Sequence, residues 1–113
     1  MKIALVAAAL LLSVPAIAHH GWSEYDQGKT LTLEGRVQEA GYEHPHGFVK
    51  LMTKTKNWIA VLAPPSRMDN RGLTKDMLKA GTTVTVVGYA NRNNPEEMRA
   101  ERIIVSGKTV ELR

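Results

Sequence analysis

The sequence predicts a small, mostly β protein: an OB-fold-like barrel of five or six strands, with one short helix between strands three and four. Three observations carry that expectation. Leu31, Leu33, Gly35 and Val37 alternate with Thr32, Glu34, Arg36 and Gln38, the period of a strand rather than of a helix. Val84, Val86 and Gly88 alternate with Thr83, Thr85 and Val87 in a window dominated by β-branched residues, which fit a pleated surface. The one segment with helical character falls between the third and fourth of these strands, which matches a five-stranded Greek-key barrel with a helix at that crossing.

Taken in order, the first strand follows a polar stretch from Gly21 to Lys29. A loop rich in glycine and proline runs from Gly41 to Gly47. Phe48 to Thr53 is the second strand, Lys54 to Asn57 a polar turn, and Trp58 to Leu62 the third strand. Pro64-Pro65 ends it, because proline cannot donate to a ladder. Thr74 is placed to cap a helix over Lys75 to Lys79, with Gly81 as its stop. Thr82 to Tyr89 forms the fourth strand and Asn91 to Pro95 a turn. Met98 to Val105 is the fifth strand, and Ser106-Gly107 opens a hairpin into Thr109 to Leu112.

Ahead of this barrel stands an address. Lys2 gives a positive start, and Ile3 to Val14 is apolar apart from Ser13. Pro15 breaks the run before Ala16-Ile17-Ala18, the small-residue pattern of a cleavage site. The apolar run is too short for a stable membrane anchor. Residues 1–18 therefore read as a secretory signal peptide, 19–29 as an N-terminal arm and 30–113 as the barrel domain. The expected location is the bacterial periplasm, or outside the cell, after cleavage following Ala18 or, alternatively, Ala16.

At 113 residues the chain holds one domain. It has no cysteine, which removes disulfide frameworks, thiolate metal sites and cysteine nucleophiles together. The net charge of +4 is spread among acidic residues rather than gathered in a block, so nucleic acid is not an expected partner. No triad order, paired catalytic carboxylates, phosphate loop or dinucleotide fingerprint is present, and no catalytic residue is assigned.

The four histidines form two pairs, His19-His20 and His44-Pro45-His46. Cleavage after Ala18 makes His19 the first residue, so its α-amine, with a pKa of about 7.7, and its imidazole can chelate one ion. Amine and imidazole nitrogens favour Cu(II). The second pair lies in the loop joining strands one and two, part of the usual ligand-binding edge of an OB fold. His19, His20, His46 and His44 are thus the candidate metal ligands and a copper ion the expected cofactor, provided the arm meets the loop. Cleavage after Ala16 would instead put His19 third in the mature chain, where amine, backbone amides and imidazole bind Cu(II) with a different geometry. Trp22 and Tyr25 read as a staple packing the arm to the barrel, and Trp58 as core. Arg67 and Arg71 read as parts of a solvated connector.

Ala18-His19-His20-Gly21-Trp22, His44-Pro45-His46, Leu62-Ala63-Pro64-Pro65-Ser66-Arg67, Arg71-Gly72-Leu73 and Leu78-Lys79-Ala80-Gly81 resemble, in that order, a family of small exported bacterial proteins catalogued as a domain of unknown function. The resemblance spans about residues 18–113 and implies a signal peptide followed by a compact β-barrel. It carries His19, His20, His46 and Trp58 as recurring features. Members more often show Asn where this chain has His44, which favours His46 over His44 as a ligand. The competing expectation is an OB-type module that binds an envelope protein or a glycan without metal.

Overall fold

The structure is a computed structural model that describes residues 21–113. The signal segment, His19 and His20 lie outside the described residues. The strands are β1 (Tyr25–Gly41), β2 (Phe48–Met52), β3 (Asn57–Val61), β4 (Thr83–Asn91), β5 (Glu97–Val105) and β6 (Lys108–Glu111). β1 pairs antiparallel with β2 on one side and β4 on the other. β2 continues to β3 and β4 to β5. A parallel pairing of β3 with β5 then joins the two ends, so the five strands form the closed ring of an OB barrel. That seam is short: Ile59 faces Glu97, Ala60 faces Met98 and Val61 faces Arg99. β6 extends the sheet along the other half of β5.

Closure brings the inward sets predicted from alternation into one core. Val37, Val49, Leu51, Ala60, Val84, Val86, Met98, Ala100 and Ile103 are buried together, and Trp58 joins them. Leu62, Met68, Leu73 and Leu78, from the crossing between β3 and β4, close one end of the barrel. Each such side chain contributes about 1.5–3 kcal/mol when fully buried.

Two local expectations are corrected. The α-helix of the crossing, α1, spans Pro65–Asn70, whereas Lys75–Leu78 makes only a 3-10 turn. Pro65 has no N–H to lose in the first helical turn, and its fixed φ suits that position. Thr74 makes no side-chain cap, and Lys79 is already extended, so the second turn cannot propagate. The first strand also begins at Tyr25, well before the alternation. Tyr25 pairs with Asn91 and the next pair is Thr30 with Tyr89, so residues 26–29 form a bulge that erases the period.

Two anchors set the geometry of the seam and of the first loop. Gly88 lies on β4 where the register with β5 shifts; a Cβ there would collide with the Arg99 carbonyl and lie 2.8 Å from Ala100 Cα. The Tyr42 hydroxyl, at the start of the first loop, lies 2.7 Å from Asp69 Oδ1 and 2.7 Å from the Leu73 carbonyl oxygen. Its single proton serves one acceptor at a time, and either bond ties the loop to the β3–β4 crossing. Burial and the neighbouring Asp69 carboxylate push its pKa up to about 12.

Gly88→Ala should therefore destabilise the protein by about 2–3 kcal/mol, the typical scale of overpacking. Gly28→Ala, whose nearest neighbour is Asp26 Oδ1 at 3.4 Å, should stay within roughly 0.5 kcal/mol. Urea unfolding of the two variants tests the contrast. For Tyr42 the folded state holds a proton that the unfolded chain releases near pH 10. Its contribution is complete below about pH 10 and is lost as pH rises toward 12. Tyr42→Phe should lose stability less steeply than the parent between pH 10 and 12, read from urea midpoints across that range.

Candidate functional site

The first loop, residues 42–47, is held at its far end by Gly47. The Gly47 N–H donates to the Ala63 carbonyl at 2.9 Å, and the Gly47 carbonyl accepts from Leu62 N–H at 2.8 Å. Between the two anchors the His44–Pro45 bond is cis, His44 is exposed and His46 is half-buried. His46 Nε2 lies 3.3 Å from Arg99 Nη2. A guanidinium has donors only, so Nε2 accepts this bond and the ring proton sits on Nδ1.

Arg99 is the centre of the site. It lies on the β3–β5 seam, opposite Val61 on one side and Tyr89 on the other. Met98 and Ala100 beside it point into the core, so Arg99 projects from the outer wall. It is nevertheless only 7% exposed, because other parts of the chain cover it. Its guanidinium carbon is 4.4 Å from the Trp22 ring centroid and 6.0 Å from that of Tyr25. Burial lowers its pKa from the ordinary arginine value. Tyr25 and Glu97 push it back, and the charges of Arg67 and Arg113 lower it further. An arginine stays protonated through such shifts, so the site carries a fixed buried cation.

The cover is itself pinned. Trp22 belongs to a 3-10 turn, Trp22–Glu24, that leads into β1. The Glu24 carbonyl accepts from Arg92 N–H at 2.9 Å, and Arg92 Nε donates to the Ser23 carbonyl at 3.3 Å. A second guanidinium, that of Arg113, stands 4.3 Å from the Trp22 centroid, and Tyr89 meets the same ring edge-on at 6.1 Å. Gln27, in the β1 bulge, donates to the Trp22 carbonyl at 3.1 Å and accepts from Arg113 Nη1 at 3.1 Å. Arg67 and Arg71 donate to main-chain carbonyls of residues 111–113, which fixes the C-terminal segment carrying Arg113. Both arginines are exposed on the connector between β3 and β4 and bond residues 111–113 from there.

Acidic groups balance the cluster from the rim. The Tyr25 hydroxyl donates to Glu97 Oε2 at 2.7 Å and Asn91 Nδ2 donates to the same oxygen at 2.8 Å. Burial, then Glu97, raises the Tyr25 pKa well above its usual value. Tyr89 donates to Glu101, and that bond, helped by Arg113, holds the Glu101 carboxyl below its ordinary range.

Of the four histidines named from the sequence, His46 enters this cluster and His44 remains at the surface, while His19 and His20 fall outside the described residues. Among the described residues no three His, Asp or Glu side chains are grouped to hold a metal ion. Sequence reasoning missed Arg99 and Arg113 and gave Arg67 no part in this cluster. Arg99 stands at the outward position of an alternating strand, the usual place of a solvated charge, and no local signal separates it from Arg102.

Comparison with known proteins bears on the fold and the family. No curated protein matches the chain. A crystal structure of TiaS in complex with an isoleucine tRNA and ATP is similar at 24% identity and a TM-score of 0.53, over 79% of this chain and 20% of that one. Apo TiaS, a tRNA agmatidine synthetase, is similar at 24% identity and a TM-score of 0.53, over 78% and 19%. The chain spans about a fifth of the length of these structures, and a likeness at this identity shows the fold alone. The resemblance carried by the histidine, proline and arginine motifs is borne out by a match over residues 7–99, and the chain belongs to the family of unknown function DUF6152.

Proposed function

We propose that this protein is exported to the periplasm and binds a transition metal, copper foremost, through the His19 amine and imidazole, His20 and His46, with His44 at the margin. One observation carries the reading. Trp22 and His46 both contact the Arg99 guanidinium, at 4.4 Å and 3.3 Å respectively, so the arm is docked beside the first loop. His20 and His19 precede Trp22 by two and three residues. At full extension that is a reach of roughly 7 and 10 Å from its Cα. Imidazole and amine nitrogens in such a set suit Cu(II), and binding would require them deprotonated, so affinity should fall at acid pH.

A second reading, an OB-type module for an envelope protein or a glycan, is favoured by a different feature. A hollow of about 340 Å³ lies beside the base of the first loop, lined in part by Ala40, Tyr42 and Leu78. The tRNA named for TiaS is not taken over, because that likeness is one of fold.

Native mass spectrometry of the exported protein tests both. The metal reading expects a chain beginning at His19 that binds one copper. At a free copper concentration a hundred times the dissociation constant, the folded state should gain about 2.7 kcal/mol. His46→Ala should weaken binding at least tenfold, while His44→Ala should have a smaller effect. A chain that begins at His19 and binds no copper would end this reading in favour of the second.

A further inference from the structure

We propose that the open edge of β1 over residues 38–41 is a docking strip for an extended segment of a partner protein, one with apolar side chains for the adjoining hollow and acidic ones for its rim; this deepens, and rests on, the second reading above. β1 pairs with β4 only as far as Arg36 opposite Thr83. Two more main-chain bonds follow, Val37 N–H to the Thr82 carbonyl and Gly81 N–H to the Val37 carbonyl, each at 2.8 Å. Gly81 has a φ of +91°, a conformation that suits glycine and turns the chain away from β1 at this point. β1 itself runs on to Gly41 against β2, with Glu39 facing Lys50, Ala40 facing Val49 and Gly41 facing Phe48. Among the described residues, no strand pairs with the other edge of residues 38–41. Alternate residues of an antiparallel strand aim their N–H and C=O groups to opposite sides, so part of this segment aims them away from β2.

What stands across from that edge makes it a groove rather than a bare flank. The 3-10 turn Lys75–Leu78 and the two residues after it border the same hollow of about 340 Å³ as Gln38, Glu39 and Ala40. Ala40, Tyr42, Ala80 and the buried Leu78 supply its apolar lining. Tyr42 is fixed there by the hydroxyl contacts that tie it to Asp69 and the Leu73 carbonyl. A strand added to β1 gains main-chain bonds along its edge, and its side chains alternate, so every second one is sent to the face of the hollow. The rim sets the sign of the other face. Glu39 is already paired with Lys50 at 3.0 Å, which leaves Lys75 and Lys79 against Asp76 alone, an excess of positive charge. All three are exposed, so they select the charge of the partner more than they add to its affinity.

Nitrogen-15 NMR of the exported chain tests this with a short peptide alternating valine and glutamate, its lysine-for-glutamate counterpart, and two versions N-methylated at the valines or at the glutamates. The glutamate peptide should shift the amides of residues 38–41 and 75–80 and bind about tenfold more tightly than the lysine peptide. One N-methylated version should lose binding and the other keep it, because only one edge of an added strand meets β1. Ala40 is exposed, so Ala40→Arg fills the hollow without entering the core and should weaken binding about tenfold or more. Lys75→Glu combined with Lys79→Glu should reverse the preference for charge. If the peptide shifts other amides and Ala40→Arg binds it equally well, the docking strip is overturned while the binding-module reading survives. If only a soluble peptidoglycan fragment shifts amides, the strip is overturned and the glycan half of that reading stands. If concentrating the protein alone shifts residues 38–41, the occupant is a second copy and the proposal is overturned. If nothing shifts any amide, the strip and the reading beneath it both fall.

Discussion

Burying the Arg99 guanidinium is the constraint around which this small protein is arranged. A charge removed from water costs several kcal/mol unless its surroundings replace the lost hydration. Arg99 meets that demand with two aromatic faces, an imidazole acceptor and the nearby Glu97 carboxylate. None of these is its sequence neighbour except Glu97. The N-terminal turn, the first loop and the first strand each send one group, so satisfying Arg99 fixes the mutual position of all three.

The barrel makes this possible by leaving β5 accessible on its outer face. The parallel seam holds only three residue pairs before β6 takes over the same edge of β5. Arg99 sits at the end of the seam, and Gly88 on β4 lacks the side chain that would push the Arg99 backbone away. The N-terminal turn and the C-terminal segment then cover that face. Arg67 and Arg71 secure the C-terminal segment, which places Arg113 on Trp22, and Gln27 bridges Trp22 to Arg113. A chain of this size with no disulfide thus secures the N-terminal turn and the C-terminal segment through charged hydrogen bonds and cation–π contacts, the latter worth about 0.5–2 kcal/mol each.

The same arrangement sets the two histidines of the first loop apart. The Arg99 guanidinium donates to His46 Nε2 at 3.3 Å, which ties the first loop to the β3–β5 seam. His44, exposed on the far side of a cis proline bond, has no such orienting contact to the cluster, in line with its lesser role in the family resemblance.

The sequence by itself determined the fold class, most of the strands and the core. Period-two alternation is a local property, and each inward residue declares itself within its own strand, as Val84, Val86 and Gly88 do. It also placed His44 and His46 in the first loop, and its motifs pointed to the family that the match over residues 7–99 establishes. Where local signals conflict it was less informative: Pro65 looked like a strand stop and serves as a helix start, and the bulge after Tyr25 hid the beginning of β1. Only the tertiary structure decided that Arg99 is buried and that His46 faces it. Alternation tells which wall of a strand a residue occupies, not what later covers that wall. The cover here comes from residues 22, 46 and 113, separated from Arg99 by up to 77 positions in sequence and joined to it only when the ring closes.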